Sequence, residues 1–126
     1  MSHLPAWTRL ETIAREEVAG VLRRLPAELR ARASAVALRL EPVPGPELIA
    51  DGVDADLLGL FVGPDFEGEG EHGSLPPQII LFLASLWDFA EAEETFYREE
   101  VRTTYLHELG HYLGLDEDDL EERGLQ

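Results

Sequence analysis

His107-Glu108-Leu109-Gly110-His111 sets two imidazoles four residues apart, with a carboxylate beside the first. On an α-helix, residues four apart share one face, so both rings can offer a nitrogen to a single metal ion. Glu108 then stands where it can take a proton from a water that the metal activates. This is the chemistry of zinc-assisted peptide hydrolysis. The chain has only 4 His, so two of them in this frame carry weight. The plainer alternative is a surface helix with two incidental His residues. The glycine and the acids that follow weigh against it.

Two His do not complete a catalytic site. A catalytic zinc usually takes three protein ligands and keeps one position open. Residues 112–126 are all that follow His111, so a third ligand on a distant downstream helix is hard to build. A nearby one fits better. Gly114 can adopt the left-handed conformation that turns the chain back. Glu117 then completes the run H-E-x-x-H-x-x-G-x-x-E. The expected metal ligands are His107, His111 and Glu117, with Glu108 as the base. Asp116, Asp118 and His72 are the other candidates for the third ligand. Asp116 fits better as a helix cap. Asp118, Asp119, Glu121 and Glu122 read as solvated charges at a helix N-terminus. His72 sits in a loop and reads as a surface residue.

Other neighbours have plain readings. Tyr105 and Tyr112 flank the motif and could donate to an oxyanion, but packing is the simpler role. Arg98 and Arg102 read as a surface pair with Glu99 as counter-ion. The chain has no Cys, which excludes disulfides and thiolate metal sites. Two imidazoles and a carboxylate suit zinc better than magnesium or calcium.

These side chains need a frame. Apolar residues at Phe96, Val101, Leu106, Leu109 and Leu113 predict a helix over 93–113, ended by Gly114. Trp7, Leu10, Ala14, Val18, Val21 and Leu25 predict an amphipathic helix over 6–24, with a core-facing stripe. Pro26 opens a short helical turn over 27–33. Val36, Leu38 and Leu40 alternate with polar or small residues, which predicts a half-buried strand. The prolines of EPVPGPE stop it. Residues 57–62 predict a second strand and a candidate sheet edge for an extended peptide. Residues 63–77 form a loop rich in Gly, Pro and acids. Residues 78–83 predict a third strand, apolar on both faces and therefore central. Residues 84–92 fit a loop or a short helix, and Asp116 can cap a last helix ending near Gly124.

At 126 residues the chain fits one domain, spanning 1–126. The net charge is −16 and unevenly placed: residues 1–40 carry seven Arg and four acids, residues 41–126 three Arg and 22 acids. Such a surface repels phosphate backbones, so nucleic acid is not the expected partner. It favours basic or neutral peptides over acidic ones. No apolar run approaches the ~20 residues that would span a membrane. The segment MSHLPAWTRLE lacks a basic region followed by an apolar stretch, so a cytoplasmic protein is expected. The absence of Lys, Asn and Cys, with plentiful Pro, fits a heat-adapted, GC-rich bacterium.

The motif run resembles the metzincin pattern, which has His or Asp where Glu117 stands. Metzincins also have a methionine turn, and the only Met here is Met1. A closer resemblance covers most of the chain. Leu25-Pro26-Ala27-Glu28-Leu29, residues 57–61, Pro77 to Phe82, Val101-Arg102-Thr103-Thr104, His107 to His111, Gly114 and Asp116 to Leu120 resemble the small bacterial family of zincin-like, minimal metallopeptidases. Its members usually carry Asp at the position of Glu117. The resemblance implies an α+β, zincin-like fold, with a small mixed β-sheet packed against an N-terminal helix and the H-E-x-x-H helix. It implies a zinc-dependent metallopeptidase acting on a peptide or protein substrate. Two rivals remain. One is a metal-binding module with little catalysis, in which the metal staples the C-terminal segment to the main helix. The other is an endoribonuclease resembling bacterial rRNA-processing metalloproteins, whose H-x-x-x-H-x-x-G-x-D-H matches at His107, His111, Gly114 and Asp116. It departs at Glu108 and Glu117, and no basic cluster lies outside residues 1–40.

Overall fold

The computed structural model describes residues 4–64 and 76–125, so His72 lies outside the described residues. Its longest helix, α5, spans Glu94–Leu113. Glu93 starts it, accepting the Phe96 backbone N–H on its side chain at 3.1 Å. The inward face buries Tyr97, Val101, Thr104, Tyr105, Leu109 and Tyr112. Against it packs α1 (Trp7–Arg24), through Leu10, Ile13, Ala14, Val18 and Val21. The two helices run in the same direction. Arg9 at the start of α1 pairs with Glu94 at 2.7 Å, and Glu17 further along pairs with Arg102. Between them the Tyr97 hydroxyl donates to the Leu10 carbonyl at 3.0 Å. Burial pushes that phenol well above its usual pKa.

Arg98 and Arg102 are not the surface pair that their spacing suggests. Both reach across to Glu17 on α1, and Arg98 also meets Glu16 and Glu94. Burial alone would raise the Glu17 carboxyl. Hydrogen bonds from Arg102 and Arg98 outweigh it and hold the group below its ordinary range. The counter-ion is therefore Glu17 rather than Glu99, because α1 covers that side of α5.

The sheet has strands β1 (Ala37–Glu41), β2 (Gly59–Val62) and β3 (Gln78–Phe82), in the order β1-β3-β2. The central strand β3 is parallel to β1 and antiparallel to β2. Ile79, Ile80, Leu81 and Phe82 are all buried, as a strand covered on both faces must be. On β1, Leu38 and Leu40 turn to the core while Ala37 and Arg39 are exposed. The fold is thus α+β with a small mixed sheet. No helix among the described residues is long and apolar enough to cross a membrane.

Three local features depart from the periodicity reading. Residues 46–50 form a short helix, α3 (Pro46–Ala50); Pro46 sits in its first turn, where a missing N–H costs nothing. Residue 83 starts α4 (Leu83–Phe89) directly from β3, with the Ala84 N–H bound to the Pro42 carbonyl at 2.9 Å. Trp7 and Phe96 are 37% and 53% exposed, outside the core stripes, while Tyr97 and Ile13 take the inward positions. A short α2 (Ala27–Ala33) follows α1, and α6 (Glu117–Glu122) ends the described chain.

Candidate metal centre

His107, Glu108 and His111 lie on the last two turns of α5. Their ligand atoms fall within 4.8 Å of one another, and no other group of three such residues does so among the described residues. The two imidazole rings stand 5.0 Å apart, edge to face. Rings four residues apart on a helix meet in this way, with nitrogens free to converge. His107 is about half exposed, whereas Glu108 is 13% exposed.

Glu108 is held from the sheet side. Its Oε1 accepts the Phe61 backbone N–H at 3.1 Å. Its Oε2 faces His107 Nε2 at 3.9 Å. The ladder explains why that N–H is available. Phe82 donates to the Leu58 carbonyl, so residues 58, 60 and 62 bond to β3, and Gly59 and Phe61 turn their backbone groups to the free edge. Contact between β2 and α5 is close because Gly59 has no side chain. A Cβ there would come within 2.6 Å of Thr104 Cγ2. Edge strand, glycine and buried threonine together position Glu108.

The return of the chain depends on two further glycines. Gly114 ends α5 with φ 72°, the left-handed conformation. The Leu115 N–H bonds to the Gly110 carbonyl at 2.9 Å, and the Gly114 N–H to the His111 carbonyl at 3.4 Å. This pairing is a Schellman cap. It lays Leu115 across the helix at Gly110, where a Cβ would be 2.7 Å from the Leu115 carbonyl oxygen. Gly110 was not singled out from sequence. Its signal was available, since glycine inside a helix costs about 1 kcal/mol against alanine and needs a reason.

Beyond the turn, Asp116 caps the last helix, as its place in the sequence suggests. It accepts the Asp119 N–H at 2.8 Å, and Asp119 accepts the Asp116 N–H at 3.0 Å. Asp119 is therefore half of a capping box rather than a free surface charge. Glu117 follows as the first residue of α6. Its Oε1 lies 3.6 Å from His107 Nδ1, and its side chain is 73% exposed. It neighbours His107 without joining the group of three. Asp118 is exposed on the same turn. Tyr105 and Tyr112 are buried in the core, so packing is their role, and burial pushes the Tyr105 phenol up to about 12.

Two hollows flank the imidazoles. The larger, about 720 Å³, runs beside α5 from Glu100 to Glu108 and is also lined by Leu57 to Gly59 and by Glu117 and Leu120. The smaller, about 350 Å³, lies between His107, His111 and the α5–α6 turn. No curated protein matches the chain in sequence. A family model described as a zincin-like metallopeptidase matches residues 33–125, about three-quarters of the chain. The matched region starts at the end of α2 and takes in the sheet, the H-E-x-x-H helix and α6, all the parts that build the site. The chain belongs to the zincin-like metallopeptidase family.

Proposed function

We propose that this protein is a zinc-dependent metallopeptidase. The observation that carries the reading is the division of labour in the Glu108 carboxylate: one oxygen is fixed by Phe61 and the other faces the imidazole pair. The donor set fits zinc, being two imidazoles and carboxylates with no thiolate. His107 and His111 would hold it, with Glu117 as third ligand from its position beside His107. Bound there, zinc would polarise the scissile carbonyl and lower the pKa of a water.

The chain's own residues supply the rest. Glu108 accepts the proton from the attacking water through its free oxygen and returns it to the departing amine. The Phe61 N–H keeps the carboxylate from swinging away, at no cost in charge. An extended peptide pairs with the Gly59 N–H and C=O and the Phe61 C=O, the outward groups of β2 left over once Phe61 has donated to Glu108. Lying there, its backbone passes over Glu108. Nucleic acid is not the substrate we propose, because the arginine that lines the larger hollow, Arg102, is already matched by Glu17 and the chain carries a net charge of −16.

A metal-binding module with little catalysis is the second reading, and one observation favours it. The bond to Phe61 gives Glu108 a structural use that would persist without catalysis. Cleavage of an unfolded protein substrate separates the two. The peptidase reading expects cleavage that a chelator stops and added zinc restores. Cleavage that survives complete chelation, or zinc-loaded folded protein that cuts nothing, would sink it.

A further inference from the structure

We infer that the larger hollow beside His107 is a side-chain pocket for a peptide lysine or arginine, with Glu100 as the group that reads its charge. The inference rests on the peptidase reading and deepens it. Glu100 and His107 are seven residues apart on α5, two turns on one face, so about 10 Å separates them along the axis. The hollow between them holds about 720 Å³. That lies within the range of small ligand sites and exceeds the need of a short side chain.

Its walls and its charges point to the same occupant. Leu57, Leu58, Leu106 and Leu120 line it, and most of its surface is apolar. These surfaces suit a methylene stem. Two turns up the helix from His107 stands Glu100, half-buried, with no hydrogen bond or ion pair among the described residues. Arg102 also lines the hollow, but its guanidinium is bound to Glu17 on α1. Glu117 is beside His107. A carboxylate without a protein partner thus lines a largely apolar hollow, and a cation on a long apolar stem complements both. A purely apolar side chain would fill the slot and leave Glu100 unanswered. An acidic one would meet like charge, in a chain of net charge −16.

The test separates binding from cleavage. Labelled hexa-alanine peptides carrying Lys, norleucine or Glu at the fourth position are titrated into zinc-loaded Glu108→Gln protein, and fluorescence anisotropy is read. The Lys peptide is expected to bind about two- to fivefold tighter than the norleucine peptide, as for a solvent-accessible ion pair. In the Glu100→Gln, Glu108→Gln double variant that ratio falls to about one. In Glu100→Lys, Glu108→Gln the Glu peptide becomes the tightest of the three. Zinc affinity, measured by titration, shows that each variant is folded at the site. Equal binding of Lys and norleucine, or a Lys preference that survives Glu100→Gln, overturns the inference. A Glu100-dependent preference in a protein that cleaves none of the peptides in its native form would keep the pocket and overturn the peptidase reading.

Discussion

Replacing Gly59 by alanine tests how the edge strand is seated on the metal helix. The added Cβ would lie 2.6 Å from Thr104 Cγ2, 3.3 Å from the Ile80 carbonyl oxygen and 3.4 Å from Leu81 Cδ2. Carbon atoms pack comfortably at about 3.5–4.0 Å, so the methyl contact is short by roughly 1 Å. Two effects oppose each other. Alanine in a strand gains about 0.5–1 kcal/mol over glycine through backbone entropy. Overpacking a filled interior costs about 1–3 kcal/mol. The clash is expected to win by about 1–2 kcal/mol, which lowers the melting temperature of a domain this size by about 3–10 °C. Thr104→Ser removes the offending methyl and by itself costs about 1 kcal/mol of buried contact. In the double variant the new Cβ takes the methyl's space. It should therefore be no less stable than Thr104→Ser alone, giving a coupling of about 1–2 kcal/mol. Urea unfolding of the four proteins measures this directly. Simple additivity would refute the close approach of β2 to α5. So would a Gly59→Ala protein more stable than the native one.

Gly110→Ala raises helix propensity by about 1 kcal/mol, yet should destabilise on thermal unfolding, because its Cβ meets the Leu115 carbonyl oxygen at 2.7 Å; a stabilised variant contradicts the cap geometry. Asp116→Ala breaks the capping box and should cost about 1 kcal/mol in chemical denaturation, whereas Asp118→Ala should cost a few tenths at most. Glu17→Gln should lose about 1–2 kcal/mol near neutral pH, since it deprives Arg98 and Arg102 of a partly shielded partner. The hydrogen bonds from Arg102 and Arg98 hold the folded Glu17 carboxyl below the ordinary carboxylate range, so its contribution is present above the unfolded pKa and lost as pH falls through the lower folded one. The gap between native and Glu17→Gln should therefore close in acid, and a gap that widens there would reverse the assignment. Zinc at a hundredfold excess over its dissociation constant should add about 2.7 kcal/mol to unfolding stability, and His107→Ala or His111→Ala should abolish that gain in calorimetry.

The site motif and the large elements were legible because each is written in local sequence. The spacing of His107 and His111 is a helix spacing. The continuous apolar run of β3 marks a central strand, and Asp116 with Gly114 marks the turn between two helices. What escaped has a common physical origin. The turn between α4 and α5 takes Glu91 and Ala92 to φ 57° and 60°, so no glycine announces it. Arg98 and Arg102 carry the same local pattern whether or not α1 covers them; their partner Glu17 is 81 and 85 residues away. The Phe61 N–H that fixes Glu108 belongs to the backbone and has no residue type to betray it. Glu117 shows the converse. Its spacing from His111 points to a ligand position, and the Schellman turn brings its Oε1 to 3.6 Å from His107 Nδ1, but the direction of an exposed side chain is beyond what spacing encodes.

Glu108→Gln is the most direct test of the central claim. The substitution keeps the size of the side chain and, with its amide oxygen toward Phe61, an acceptor for that N–H, but it removes the proposed base. The account predicts unchanged zinc affinity by titration, near-native stability, and peptide cleavage reduced by about 10²–10⁴-fold. A zinc-loaded Glu108→Gln protein that cleaves within a few-fold of the native rate would contradict it, and would move Glu108 from the chemistry to the scaffold.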